Sequence, residues 1–228
     1  MNVIALIMAG GSGERFGAGA PKQMVLLNGR TMIAWSADVL ARSPRVNGLV
    51  VVTPPGVDMA LPDLPPHAAA KVLAVVVGDA TRQGSVSNGL RDLPRDATHV
   101  LIHDAARPCL SPGLRDRVLD ALAEHDAVVP AVPVTDTLIR EAGARVDAIL
   151  DRVHIAGVQT PQGFRAELIR RAHRVARERG FQSSDDGSLV LALAEKVATV
   201  SGEPTNIKVT YREDLVIAEA ILRNGVTT

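Results

Sequence analysis

The chain has 228 residues, 46% apolar and 22% charged, with 25 basic side chains against 25 acidic ones. That length allows one large domain or two small ones with a full core, and the balance excludes disordered and collagen-like chains. Zero net charge and five aromatic residues supply neither the basic face nor the stacking rings of most nucleic-acid binders, so any nucleotide ligand is expected to be small.

Val3–Met8 opens the chain as an unbroken apolar run of strand length, and similar runs recur at Gly48–Thr53, Val72–Val77, Val100–Ile102 and Ala127–Val132. Lacking polar alternation, each is predicted to be a strand covered on both faces. Amphipathic stretches at Met32–Arg42, Gln83–Leu93 and Leu114–Glu124 separate several of them. Strand alternating with helix predicts one α/β domain over residues 1–228, a three-layer, mostly parallel, doubly wound sheet. Further helices are predicted at Arg165–Arg179 and Arg212–Arg223, and a shorter one from Asp186 to Lys196 behind the cap candidates Ser183, Ser184 and Asp185. The apolar runs fall far short of the ~20 residues of a membrane helix. With no basic leader and a lone Cys109, which cannot pair within the chain, the expected compartment is the cytoplasm.

Two segments break the alternation. After Met8 no helix is expected before about Thr31, and structureless connections beyond ~12–15 residues are usually functional. The second is Val134–Val158, where Thr135–Arg140 and Arg145–Leu150 read as strands joined by a turn around Glu141-Ala142-Gly143. An isolated hairpin is marginal in water, so this arm is expected to pack on a second copy of the chain, giving a homodimer.

The long loop carries the first chemistry. It reads Ala9-Gly10-Gly11-Ser12-Gly13-Glu14-Arg15-Phe16-Gly17 and continues to Pro21-Lys22-Gln23. Glycines directly after the first strand expose N–H groups able to ring a phosphate, and Arg15 and Lys22 add positive charge. A dinucleotide fingerprint would need Gly where Phe16 stands, a P-loop needs a closing Gly-Lys-Ser/Thr, and a nucleophile elbow needs Gly in place of Glu14. What remains is a phosphate-handling loop. Asp104, within His103-Asp104-Ala105-Ala106-Arg107-Pro108 at the end of the fourth strand, suits a metal ion or a sugar hydroxyl. His103 is read as a core histidine. The six histidines show no zinc-ligand spacing, so any metal is expected to be Mg²⁺. Only Lys22, Lys71, Lys196 and Lys208 among the 25 basic residues are lysines; Lys71 and Lys196 are expected to be solvated, whereas Lys208 sits in a motif-like segment.

Ala9-Gly-Gly-Ser-Gly-Glu-Arg15 with Pro21-Lys-Gln23, Arg82-x-x-Ser85-Val86, His103-Asp-Ala-Ala-Arg-Pro108, Asp136-Thr137, Asp151-Arg152, Thr160-Pro-Gln162 and Asn206-Ile-Lys-Val-Thr210 together resemble the 2-C-methyl-D-erythritol 4-phosphate cytidylyltransferases. The likeness runs from Val3 to about Glu219. It implies a glycosyltransferase-A-like nucleotidyltransferase fold, a dimer clasped by the arms, and a step of the non-mevalonate isoprenoid pathway. CTP and methylerythritol phosphate would give the CDP-alcohol and pyrophosphate, with Mg²⁺. By resemblance Arg15 and Lys22 would stabilise the α-phosphate, and Ala9, Gly10, Gly11 and Gly13 would line the CTP pocket. Gly78, Asp79 and Ser85 would lie near base and ribose, with Asp104, Ala105 and Arg107 as the central strand-end motif. Thr137 and Arg152 would reach the acceptor phosphate across the dimer, and Thr160 and Lys208 would contact it from their own side. Met8, Gly10 and Asp186-Gly187-Ser188 depart from the family's usual Pro, Ala and Glu-Ala-Ser, departures expected at the pocket's edge. The alternatives are a ribitol-5-phosphate cytidylyltransferase, an NAD-dependent oxidoreductase and a non-catalytic nucleotide-binding module.

Overall fold

The computed structural model describes residues 1–10, 24–56, 61 and 63–225. Its frame is an eight-stranded sheet. The leading strand β1 (Val3–Met8) lies at the centre. After a small hairpin, β2 (Leu26–Leu27) and β3 (Arg30–Thr31), come α1 (Met32–Arg42), β4 (Val46–Thr53), α2 (Pro66–Ala69), β5 (Val72–Val77), α3 (Arg82–Arg91) and β6 (His99–Asp104). β1 pairs in parallel with β4 on one side and β6 on the other, and β4 pairs in parallel with β5. Four strands therefore run the same way and end together at Met8, Thr53, Val77 and Asp104.

The second half adds α4 (Pro112–Ala121), β7 (Ala127–Pro133), β8 (Leu138–Ala142), β9 (Arg145–Leu150), β10 (Ala156–Val158), β11 (Gln162–Arg165), α5 (Ala166–Glu178), α6 (Asp186–Leu191), β12 (Ala198–Ser201) and α7 (Glu213–Arg223). β11 inserts antiparallel between β6 and β7, β10 pairs antiparallel with the far end of β7, and β12 pairs with β7 in parallel. The sheet is thus mixed but mostly parallel. None of β10, β11 and β12 is predicted above; they have three or four residues each, too few for a periodic signal.

Alternation along β1 divides the core. Val3, Ala5 and Ile7 pack with Ile33, Ala37, Leu40, Leu114 and Val118 from α1 and α4. Ile4, Leu6 and Met8 pack with Val86, Leu90, Ile169, Ala172 and Leu189 from α3, α5 and α6. These are the expected three layers. Side-chain caps start α1 and α6 at their predicted first residues and α3 and α4 one and two residues earlier than predicted: Thr31, Thr81, Ser111 and Asp185 accept from Ala34, Gly84, Leu114 and Ser188 backbone N–H groups. A further cluster, Leu27, Met32, Cys109, Val209, Ala218 and Leu222, seats α7; burial pushes the Cys109 thiol up to about 12, so it is an inert core residue.

Two expectations need correction. β5 is not covered on both faces: Leu73, Val75 and Val77 are exposed, because β5 forms the edge beyond β4. Lys71 is not a solvated surface lysine, since its ammonium donates to the carbonyls of Ser43 (2.9 Å) and Val46 (2.7 Å), tying the end of α1 to the start of β4.

The arm is a separate two-stranded sheet of β8 and β9. Its turn lies at Gly143 and Ala144, with φ of 56° and 62°, one or two residues later than predicted. Two consecutive left-handed residues match the hairpin turn whose twist suits flanking strands.

Candidate active site

Because ligands of open α/β sheets bind beyond the carboxyl ends of the strands, the site is expected at the rim made by β1, β4, β5 and β6. Backbone bonds define it: Ala9 N–H donates to Val52 O (2.8 Å), Gly78 N–H to Thr53 O (2.8 Å), and Ala105 N–H to Met8 O (3.1 Å). Ser85, in the first turn of α3, fills the space between two of these ends. Its single hydroxyl proton lies within reach of the Thr81 carbonyl (2.9 Å) and, more distantly, the Asp79 carbonyl (3.2 Å), and its oxygen accepts from Asp79 N–H. A Cβ on Gly78 would lie 2.7 Å from that hydroxyl and 2.8 Å from Thr53 O, so the close approach here requires glycine. At Gly10 the same construction gives 3.4 Å to Ser85 Oγ, an ordinary contact, so alanine fits there.

At the centre of the rim stands a chain of charges built on two buried carboxylates. Lys208 Nζ lies 2.7 Å from Asp104 Oδ2, Arg82 Nε 3.4 Å from Asp104 Oδ1, and Arg82 Nη1 2.7 Å from Asp186 Oδ2; His173 Nε2 completes it 3.1 Å from Asp186 Oδ1. Burial alone would raise both carboxyls. The charges of Arg82 and Lys208, with the Lys208 hydrogen bond, hold Asp104 well below the usual carboxylate range, and Arg82 and His173 lower Asp186. Burial opposes the charge on Arg82, but the two aspartates raise its pKa above the ordinary arginine value. Asp186 is therefore no edge residue, as the sequence reading has it, but the buried counter-ion of Arg82. Both are missed as site residues above, and the signal was the arginine of the quoted Arg82-x-x-Ser85 segment with its unassigned carboxylate partner.

A second network fixes β6. The buried His103 ring faces Arg107 O at 3.3 Å through Nε2 and the Thr160 hydroxyl at 3.0 Å through Nδ1. A carbonyl only accepts, so Nε2 carries the proton and Nδ1 accepts from Thr160, whose oxygen in turn accepts from Asp104 N–H at 3.1 Å. Burial, with the nearby Arg107 charge, pushes the His103 pKa down to about 4. The Arg107 guanidinium donates to the carbonyls of Asn206 (2.7 Å) and Val158 (3.4 Å). The hydroxyl of Thr160 and the guanidinium of Arg107 are thus engaged by the chain itself, joining the strand end to the segment that carries Lys208.

A pH dependence follows. The unfolded imidazole titrates near 6.5, so between there and about 4 the unfolded chain binds a proton that the folded chain refuses. Stability held by the neutral ring is fully present above the upper value and is lost as pH falls through the window, by about 3 kcal/mol. Urea unfolding at pH 7 and at pH 4.5 is expected to show a smaller difference for His103→Gln than for the unaltered chain; equal differences would discount the histidine.

Ala9, Gly10, Gly78, Asp79, Ser85, Asp104, Ala105 and Lys208 thus gather on one rim. Gly11, Gly13, Arg15 and Lys22 lie outside the described residues. Thr137 and Arg152 belong to the arm, where the Arg152 guanidinium bonds the Thr135 carbonyl, and no hydrogen bond among the described residues joins them to the rim of their own chain. Both oxygens of Asp104 face cations, and no group of three His, Cys, Asp or Glu residues able to hold a metal exists among the described residues. This donor set fits an ion that arrives on phosphate oxygens and meets at most one carboxylate.

The family model described as 2-C-methyl-D-erythritol 4-phosphate cytidylyltransferase matches residues 3–224. The enzyme of that name from Thermus thermophilus is 42% identical over 225 residues, 98% of each chain. The crystal structure of a Thermus thermophilus enzyme of that name superposes with a TM-score of 0.80 at 37% identity, covering 96% of this chain and 98% of that one. A bifunctional enzyme IspD/IspF from Solidesulfovibrio magneticus is 44% identical over 237 residues; the match takes in 96% of this chain but 57% of that protein.

Proposed function

The chain belongs to the 2-C-methyl-D-erythritol 4-phosphate cytidylyltransferase family, and from that premise we propose how its residues divide the work. The reaction is cytidylyl transfer from CTP to 2-C-methyl-D-erythritol 4-phosphate in isoprenoid biosynthesis. An oxygen of the acceptor's phosphate attacks the α-phosphorus, the bond from that phosphorus to the β-phosphate oxygen breaks, and pyrophosphate leaves. A phosphate monoester with its second pKa near 6 is largely dianionic at pH 7, so no general base is required. The task is to bring two polyanions together and stabilise charge in line.

In this reading Ala9, Gly10, Gly11 and Gly13 line the triphosphate, Arg15 and Lys22 neutralise the α-phosphate, and Gly78, Asp79 and Ser85 hold base and ribose. Asp104 and Ala105 bound the centre of the crevice. Lys208, half exposed beside Asp104, faces the acceptor, while Arg107 and Thr160 support that side. Mg²⁺, held by the CTP phosphates with Asp104 as its protein ligand, would supply charge neutralisation. Thr137 and Arg152 meet the acceptor phosphate from a partner's arm. The observation that carries the assignment is the shared rim, where a buried carboxylate pinned between Arg82 and Lys208 stands beside the glycine-bearing end of β1 in a chain of this family. Pyrophosphate release measured with four nucleoside triphosphates and two acceptors, methylerythritol phosphate and ribitol 5-phosphate, tests it. Release with CTP and methylerythritol phosphate alone is expected, and a preference for ribitol phosphate overturns the acceptor.

The proposed homodimer rests on the arm. Ile139, Val146 and Ile149 are exposed on the hairpin and Val153 just beyond it; among the described residues no third strand pairs with it, and such a pair of strands needs a partner to bury its apolar side chains. Replacing residues 134–158 by a short Gly-Ser linker is expected to move the protein to the monomer position in gel filtration; an undiminished dimer refutes the arm's role. No described helix is long and apolar enough to cross a membrane; the proposed compartment is the cytoplasm.

A further inference from the structure

On the outer side of α3 and α5, a cleft of about 430 Å³ takes no part in the reaction above. Five arginines are among the residues that line it: Arg91 and Arg95 from the end of α3 and the turn beyond, and Arg170, Arg174 and Arg177 from α5. The last three recur four and three residues apart, so they share one helix face. Among the described residues none of the five pairs with a carboxylate, whereas Arg171, one position along the same helix, pairs with Glu195. Arg170 is held by the Leu90 carbonyl (3.2 Å) and Arg91 by the Asn88 side chain, bonds that orient the groups without neutralising them. Like charges at this spacing destabilise a helix, and a protein with no net charge has carboxylates enough to avoid it.

An anion in the cleft accounts for these unpaired arginines, since it would neutralise them. Arginine forks match phosphate oxygens in pairs, and the volume exceeds what inorganic phosphate alone would fill.

We propose that this cleft binds a small phosphorylated anion carrying at least two phosphate groups, at a site separate from the catalytic crevice. Calorimetric titration of the metal-free full chain with inorganic triphosphate tests it, at fixed ionic strength, with and without saturating CTP. Binding that persists under CTP is expected, weakened ~10-fold or more in Arg174→Glu/Arg177→Glu, while pyrophosphate release from CTP and the acceptor stays near the unaltered level. Should the charge reversal fail to fold by circular dichroism, Arg174→Gln/Arg177→Gln reads the same loss. Titrations alike in variant and unaltered chain, or binding wholly displaced by CTP, overturn the site. A short single-stranded RNA held more tightly than triphosphate by the same arginines overturns the ligand class.

Discussion

Alanine in place of Lys22 or of Arg15 is expected to lower turnover by ~10²–10³ while the thermal transition stays where it is. The chemistry allots the protein little else to do. The nucleophile is already ionised at neutral pH, the leaving group is pyrophosphate, and what must be stabilised is charge on the oxygens around one phosphorus. A preorganised cation at that point acts in the transition state more than in the ground state, so kcat and kcat/KM should fall together with little change in KM for CTP. Lys22→Arg is not expected to restore the rate, because a planar fork does not place its charge where a compact ammonium does. Steady-state pyrophosphate release over a range of CTP concentrations checks all three statements. Turnover near the unaltered level in either alanine variant, or a loss confined to KM, removes that residue from the chemistry.

The long apolar runs made the parallel half of the sheet readable: β1 and most of β4 and β6 are buried on both faces, and β5, though an edge strand, is apolar throughout. α1 and β5 fall on their predicted bounds, and β1 likewise. What could not be read has two physical sources. β10, β11 and β12 are too short to carry a period, and they take their place by pairing with β7 and β6 rather than by preference of their own. The other source is partnership at long range: Arg82 and Asp186 are 104 residues apart, and one sequence does not say which arginine meets which aspartate. The same limit applies to Lys71, whose carbonyl partners belong to α1's end and β4. Motif order identified the residues at the rim, yet the buried bonds that make Thr160 and Arg107 braces of that rim are properties of the fold alone.

Arg82 is where the largest loss of stability is expected. Its guanidinium lies between Asp104 and Asp186, whose side chains are 10% and 1% exposed. Replacing it with methionine keeps much of the stem's volume and removes the charge, leaving two buried carboxylates faced by Lys208, His173 and the nearby charge of Arg107. Breaking a buried pair by deleting one partner costs about 3–5 kcal/mol, and the remaining partners set the expectation at the lower end, about 3 kcal/mol. At this chain length that is roughly a 6–12 °C fall in Tm. Both aspartates titrate below their unfolded values, so they contribute stability that is present above about pH 4 and lost as pH falls below it. Arg82→Met should flatten that loss, since the chief source of the depression is gone. Asp186→Asn in the Arg82→Met background should recover part of the stability, because it neutralises the group left most deeply buried without a full counter-charge. Denaturant unfolding of the four proteins in this cycle gives the coupling directly, and a coupling energy near zero, with Arg82→Met as stable as the unaltered chain, removes the charge chain as a support of the rim.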